Sequence, residues 1–150
     1  LSIRRQRQMC IRDRCFRWHS RSPPHHEAAL YNWTGPPERA CWHHDELLAK
    51  KKQGVHVRLI ISEESSNRPF YQQLSENFDL ILIPHHGWDD WNRMHDKFCI
   101  IDFEYVMHGS YNWTKAANYN DETLATALDR DFVKKFSDEF IRLYGMGRRV

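Results

Sequence analysis

Residues 95–102 read HDKFCIID and residues 109–112 read GSYN, which together give the pattern H-x-K-x4-D-x6-G-S-x-N. The apolar residues between Met94 and Ile101 predict a β-strand, and Tyr105–Met107 predict a second strand after a short turn. In an antiparallel hairpin the end of the second strand lies beside the start of the first. We therefore expect the two halves of the pattern to lie side by side.

The side chains of this pattern suit the chemistry of a phosphate ester. Residues two apart on a strand share a face, so His95 and Lys97 are expected to point to the same side. An imidazole can attack phosphorus and leave again near neutral pH, and a lysine offsets the negative charge that develops. Ser110 and Asn112 add hydrogen-bond donors, and Gly109 permits close backbone approach. The alternative is a strand edge with a solvated His and Lys.

The pattern resembles the catalytic HKD motif of the phospholipase D superfamily. The similarity extends over residues 41–145, including Gln53–Ser62 and Tyr111–Glu122, to single-motif bacterial members of the nuclease type. This resemblance implies an α/β fold with a mixed β-sheet flanked by helices, arranged as an α/β/α sandwich. It also implies a phosphodiesterase that needs neither a metal ion nor a cofactor.

The resemblance also implies a role for each motif residue. The implied catalytic residues are His95, Lys97, Asp102 and Glu122, and the implied phosphate-binding residues are Lys97, Ser110 and Asn112. His95 would be the nucleophile that forms a phosphohistidine intermediate, and Glu122 would orient a catalytic His. Asp102 would support the geometry of the loop rather than take part in the chemistry.

The number of motif copies bears on the oligomeric state. Superfamily members use two motifs, whereas this sequence contains one. Tyr-Asn-Trp-Thr occurs at 31–34 and again at 111–114, but the positions 80 residues before His95 and Lys97 hold Cys15 and Arg17. Single-motif relatives pair two copies about a two-fold axis. We therefore expect a homodimer in which both copies of His95 share one site.

The first 40 residues differ from the rest of the chain. Residues 1–21 contain seven of the 22 basic residues and one of the 20 acidic residues, so the remainder is net acidic. We expect residues 1–40 to be irregular and partly non-native, and residues 41–150 to form the phospholipase D-like catalytic domain. The region that supplies a first strand in related domains shows no strand pattern here, so that strand is expected to be missing.

Periodicity predicts the remaining elements. Strands are expected at Val55–Ile61, Leu80–Ile83 and Glu122–Ala127, and helices at Pro69–Asn77 and Asp129–Tyr144, with another helix ending at Lys52. The four cysteines match no common zinc spacing and are expected to be reduced. The sequence shows no apolar run of transmembrane length and no signal-peptide core, so we expect a cytoplasmic bacterial protein.

Three functions remain open at this stage. Nucleic-acid hydrolysis is the leading hypothesis, with Trp88 and Trp91 of the loop before the motif able to stack on bases. Hydrolysis or transfer of a phospholipid headgroup is the alternative, and it would require an apolar entry surface. The third is an inactive fragment that binds phosphate without catalysis.

Overall fold

Two hydrogen-bonded sheets carry the β structure of this computed structural model, which describes residues 27–28, 41–86, 92–112 and 116–150. The strands are β1 (Glu27–Ala28), β2 (His56–Ser62), β3 (Asp79–Ile83), β4 (Phe98–Ile101), β5 (Tyr105–Gly109), β6 (Leu124–Ala127) and β7 (Arg148–Arg149). The α-helices are α1 (Cys41–Lys52), α2 (Tyr71–Asn77) and α3 (Arg130–Met146), and 3₁₀ helices span Ser65–Phe70 and Ala116–Tyr119. One sheet has the order β1-β2-β3-β7, and the other has the order β4-β5-β6.

The two sheets share two apolar cores, one on each face. Leu59 of β2 and Cys99 of β4 lie in the core that is covered by α1 and α2. Their neighbours Ile60 and Phe98 lie in the core that is covered by α3. Because both sheets contribute alternate residues to both cores, they form one layer between helices, and β1 contacts both β2 and β4. The predicted α/β/α arrangement with a mixed sheet is confirmed, although its hydrogen bonding is divided into two groups of strands.

Strands β2 and β3 are parallel and buried on both faces. Their register runs from Arg58 opposite Asp79 to Ser62 opposite Ile83, so the two strands end together. Near-continuous apolar sequence is typical of parallel strands with both faces covered, which is why these two strands could be predicted to within one residue. Complete burial of a side chain such as Ile60 contributes about 1.5–3 kcal/mol.

Helix α3 is amphipathic and packs along the second core. Its N-cap is Asp129, whose carboxylate accepts a hydrogen bond from the backbone N–H of Phe132 at 2.9 Å. Val133, Phe140 and Leu143 are buried on the face that packs against the sheet, whereas Ile141 is 61% exposed. The helix continues two residues beyond the predicted end and stops before Gly147, where the chain passes close to β3.

The N-terminal strand is present, contrary to the expectation that it is missing. Strand β1 pairs in parallel with β2, with Glu27 opposite His56 and Ala28 opposite Val57. A strand of two residues needs backbone pairing but no periodic side-chain pattern, so it could not be recognised from the sequence. The predicted boundary between residues 40 and 41 stays a prediction.

The motif strand is shorter than expected. Strand pairing starts at Phe98 rather than Met94, because the partner chain changes direction after Gly109. Gly109 donates its backbone N–H to the carbonyl of Lys97 at 3.3 Å, whereas Ser110 donates its own to the carbonyl of Thr123 at 3.0 Å. Apart from this single bond to Lys97, the described residues contain no strand that pairs with residues 94–97. Strand β6 likewise begins at Leu124 rather than Glu122.

Candidate active site

The β4–β5 hairpin brings the two halves of the motif together. The strands are antiparallel, with Phe98 opposite His108 and Ile101 opposite Tyr105. The contact between the backbones of Lys97 and Gly109 continues the pairing by one step. The structure thus places Gly109, the first residue of the second half of the motif, beside Lys97, whereas Ser110 turns toward Thr123.

Asp102 lies at the other end of the hairpin. It forms the turn with Phe103, and both residues have positive φ angles, 55° and 56°. The turn is closed by a hydrogen bond from the N–H of Glu104 to the carbonyl of Ile101 at 3.0 Å. Asp102 follows Lys97 by five steps of extended chain, a distance of about 17 Å. The structure therefore does not bring Asp102 to the other predicted catalytic residues, because opposite ends of a hairpin cannot meet.

Alternation of side chains between the two faces of the chain continues through residues 94–97, just before β4. Met94 and Phe98 are both buried in the core under α3. Asp96 falls on that same side of the chain, in agreement with its electrostatic interaction with Glu139 and Arg142 of α3. Consequently the alternation directs His95 and Lys97 to the opposite face, where His95 is exposed and Lys97 is partly buried.

Lys97 is the cation of the site. Its ammonium group donates a hydrogen bond to the backbone carbonyl of His95 at 2.8 Å, which fixes the local geometry between the two motif residues. Burial lowers the pKa of Lys97, and the negative charges of Asp96 and Glu122 partly offset that effect. The charge of Glu122 therefore acts on Lys97.

Asp96 lies between His95 and Lys97 in the sequence, and its carboxylate interacts with charged residues of α3. Burial raises the pKa of Asp96, and the charge of Glu139 raises it further. The positive charges of Arg142 and Lys97 act in the opposite direction, as does His95 in its protonated form. These electrostatic interactions link the segment that carries His95 and Lys97 to residues 139–142 in the C-terminal half of α3.

Glu122 is held by neutral donors on both carboxylate oxygens. The hydroxyl of Ser110 donates to Glu122 Oε2 at 2.5 Å, and the side-chain amide of Asn120 donates to Oε1 at 3.1 Å. Ser110 Oγ in turn accepts the backbone N–H of Thr123 at 3.0 Å. Between described residues no hydrogen bond joins Glu122 to His95, so the orienting contact that the resemblance implies is not formed within this chain.

The bond to Glu122 also changes what Ser110 can do. A hydroxyl has one proton to donate, and in this arrangement the carboxylate accepts it. Ser110 can donate to a phosphate oxygen only if it first turns away from Glu122. The sequence reasoning identified both residues but missed their mutual contact, and it missed Asn120 and Thr123 as supports.

Gly109 makes this arrangement possible. A Cβ atom at this position would lie 2.1 Å from the carbonyl oxygen of Thr123. A Cβ atom and a carbonyl oxygen that are not bonded to each other do not approach so closely. Only glycine therefore allows β5 and the chain before β6 to meet here. The glycine predicted from the motif to permit close approach does so toward the protein's own backbone.

Asn112 lies in the same stretch and is partly buried. Its side-chain oxygen is buried and has no hydrogen-bond partner among the described residues. An unpaired buried polar atom costs about 1–3 kcal/mol, and such atoms are uncommon in folded proteins.

Trp88 and Trp91 of the loop before the motif, which were predicted to be able to stack on bases, lie outside the described residues.

The chain is similar to known proteins both in sequence and in fold. Residues 31–144 match the family described as "Cardiolipin synthase, PLD-like domain". The chain belongs to the phospholipase D-like family. The match includes all the motif residues, and it begins inside the segment that was expected to be irregular.

Curated relatives of this phospholipase D-like chain share one name. The chain is 37% identical over 105 residues to the mitochondrial cardiolipin hydrolase of Chlamydomonas reinhardtii, an alignment that covers 68% of this chain and 45% of that protein. It is 38% identical over 56 residues to the Homo sapiens protein of the same name, covering 37% of this chain and 22% of that protein. The chain thus spans less than half the length of these relatives.

Solved structures of the phospholipase D-like family share its fold. Nuc from Salmonella typhimurium, a phospholipase D family member, superimposes with a TM-score of 0.65 at 21% identity, covering 83% of this chain and 81% of that one. NucT from Helicobacter pylori gives a TM-score of 0.64 at 20% identity, with 84% and 82% coverage. At these identities the similarity establishes the fold alone.

Proposed function

We propose that this phospholipase D-like chain is a metal-independent phosphodiesterase in which His95 is the nucleophile. The observation that carries the proposal is the backbone contact between Lys97 and Gly109, which sets exposed His95 and the Lys97 ammonium at the end of the β4–β5 hairpin from which the chain continues to Asn112. Imidazole, ammonium and amide groups together supply a nucleophile and neutralisation of charge. None of these three roles requires a metal ion.

The reaction has two balanced steps. A neutral ring nitrogen of His95 attacks phosphorus, forming an N–P bond while the P–O bond to the leaving group breaks. A second imidazole protonates the departing oxygen. Water then attacks phosphorus, the N–P bond breaks, and the proton of the water passes to that second imidazole, which restores the starting state.

The second imidazole is supplied, in this proposal, by His95 of another copy of the chain. The sequence contains one H-x-K motif, and His95 is exposed rather than buried within its own protomer. A two-fold contact between identical surfaces places two copies of one residue face to face. The homodimer therefore supplies both the nucleophile and the general acid.

Lys97 stabilises the transition state. Negative charge grows on the nonbridging oxygens as the attacking and leaving groups exchange, and an ammonium group next to the nucleophile offsets that charge. The hydrogen bond from Lys97 to the carbonyl of His95 keeps the two groups close together. Asn112 contributes a side-chain amide to the same oxygens.

Nucleic acid is the substrate that the described surface favours. The exposed residues around Glu122 are mainly polar, including Asn120, Asp121 and Thr123. The large exposed side chain in this stretch is Tyr119, which is 73% exposed next to Asn120 and is suited to stacking on a base. A phospholipid would instead require an apolar surface for its acyl chains.

A cardiolipin-like phospholipid is the second candidate, because the curated relatives are named mitochondrial cardiolipin hydrolases. Among the described residues no helix has the length and apolar character needed to cross a membrane. Both substrates are phosphodiesters, so the same motif chemistry serves either one. The choice depends on the surface around the motif rather than on the motif.

A substrate panel tests the proposal. The full chain is incubated in excess EDTA with single-stranded DNA, double-stranded DNA, RNA and cardiolipin vesicles, alongside the His95→Ala variant. We expect cleavage of nucleic acid that EDTA does not affect and that His95→Ala abolishes. Cleavage of cardiolipin alone would establish the second candidate, and activity that disappears with EDTA would contradict the metal-free mechanism.

A further inference from the structure

Asn120 lies just after the 3₁₀ helix Ala116–Tyr119 and outside the motif. Its backbone N–H donates to the carbonyl of Ala117 at 3.3 Å, which fixes the end of that helical turn. Its side-chain amide donates to Glu122 Oε1 at 3.1 Å. Asn120 is exposed, so apolar burial does not account for its position.

The other carboxylate oxygen of Glu122 has a more rigid partner. Ser110 Oγ donates to Oε2, and Ser110 is paired with Thr123 through its hydroxyl and its backbone N–H. This partner is therefore anchored to the backbone of the β5–β6 connection. A single anchored bond fixes one oxygen but leaves the carboxylate plane free to rotate about it, and a second donor on the other oxygen removes that freedom.

The orientation of Glu122 affects the reaction because its charge acts on Lys97. A carboxylate that rotates changes the distance between its charge and the cation. Both donors that hold Glu122 are neutral groups, so they fix the carboxylate without supplying a positive charge that would compete with Lys97. Hydrogen bonds to an ionised carboxylate are stronger than those between neutral groups, and two of them on separate oxygens hold the Glu122 side chain at the surface.

We propose that Asn120 is a positioning residue that sets the plane of the Glu122 carboxylate and so directs its charge toward Lys97. This inference rests on the proposed phosphodiesterase function. Asn120 does not contact the reacting atoms, and its effect on the rate passes entirely through Glu122.

The Asn120→Asp substitution separates positioning from space filling. The two side chains have the same size and shape, but aspartate places an acceptor where the structure has a donor. We expect kcat to fall about 10- to 100-fold in Asn120→Asp and in Asn120→Ala, in line with the loss of a hydrogen bond to a charged group. KM is expected to change less than about 3-fold, because Asn120 makes no contact with substrate.

Asn77 provides a matched control. Its side-chain amide also donates a hydrogen bond, at 2.8 Å, but to the carbonyl of Gln73 within α2. Asn77→Asp is expected to leave kcat and KM unchanged. Thermal unfolding of both Asn→Asp variants shows whether each remains folded.

A double-mutant cycle tests whether Asn120 acts through Glu122. In the Glu122→Gln background, Asn120→Ala is expected to cause no further loss, because the group that it positions has already been altered. Additive losses would overturn the proposal, as would full kcat in Asn120→Asp. If the unsubstituted chain cleaves no phosphodiester, the proposed function itself fails, a result distinct from an active chain that is indifferent to Asn120.

Discussion

Lys97 shows how the motif residues depend on their surroundings at the scale of single side chains. Its ammonium group donates a hydrogen bond to the carbonyl of His95, and its positive charge interacts with the negative charge of Glu122. The spacing of the motif predicted that His95 and Lys97 share a face, because that follows from strand parity alone. It could not predict that Ser110 donates to Glu122, because that contact depends on how β5 meets a chain segment twelve residues later.

Asp102 shows that a residue can belong to a sequence motif without lying near the other motif residues. A motif written as spacing does not distinguish residues that meet from residues that only occur together in sequence. The hairpin register assigns Asp102 to the turn, where its φ of 55° suits a residue type that tolerates the left-handed region. Its predicted support for the loop agrees with that position, but its grouping with the catalytic residues does not.

Substitution of Lys97 tests its proposed role as a cation. Lys97→Met is expected to lower kcat about 100- to 1,000-fold, in the range found for loss of one transition-state donor. Because burial lowers the pKa of Lys97, the unsubstituted enzyme should lose activity as rising pH removes the proton from this ammonium. Arginine stays protonated over that range, so Lys97→Arg should retain activity to higher pH. If the activity of the unsubstituted enzyme and that of Lys97→Arg fell at the same alkaline pH, the role of Lys97 would be contradicted.

Elements were predictable where their pattern was local. The buried parallel strands and helix α3 have apolar periods that the sequence displays directly. The start of β4 was misplaced because strand boundaries depend on the partner chain, and the partner turns away after Gly109. Strand β1 was missed because two residues are too few to show a period.

The two glycines near the end of α3 give a paired stability test. A Cβ at Gly147 would lie 2.1 Å from Ile81 Cγ2 and 2.9 Å from the carbonyl oxygen of Leu82, whereas a Cβ at Gly145 would meet nothing within 4 Å. Gly147→Ala is therefore expected to destabilise the fold by about 1–3 kcal/mol. Gly145→Ala is expected to stabilise it by up to about 1 kcal/mol, because alanine favours the helix. Urea unfolding measures both, and equal effects would contradict this packing of the chain against β3.

At the scale of the whole molecule, one layer of strands separates two apolar cores and leaves the motif at an exposed end of a hairpin. The strands and helices that alternate along the sequence, together with its resemblance to the phospholipase D superfamily, predicted this architecture. It does not indicate which surface meets a second copy, because a dimer interface depends on shape and not on a local repeat. The homodimer therefore stays a proposal.

Dilution tests the shared site. If each site needs two copies of His95, specific activity should fall as the protein concentration drops below the dimer dissociation constant, and sedimentation should show the dimer dissociating over the same range. His95→Ala should still form the dimer, because an exposed imidazole contributes little apolar area. A strict monomer with undiminished specific activity would contradict the shared site.

The central claim is that phosphorus becomes bonded to His95, and trapping that adduct tests it most directly. The full chain is mixed in EDTA with a phosphodiester carrying ³²P at the scissile phosphate, quenched in alkali, which preserves a phosphorus–imidazole bond, and digested for peptide mapping. We predict label on the peptide that contains His95 and no label in His95→Ala. Label on a different residue, or cleavage that continues in His95→Ala, would contradict this account.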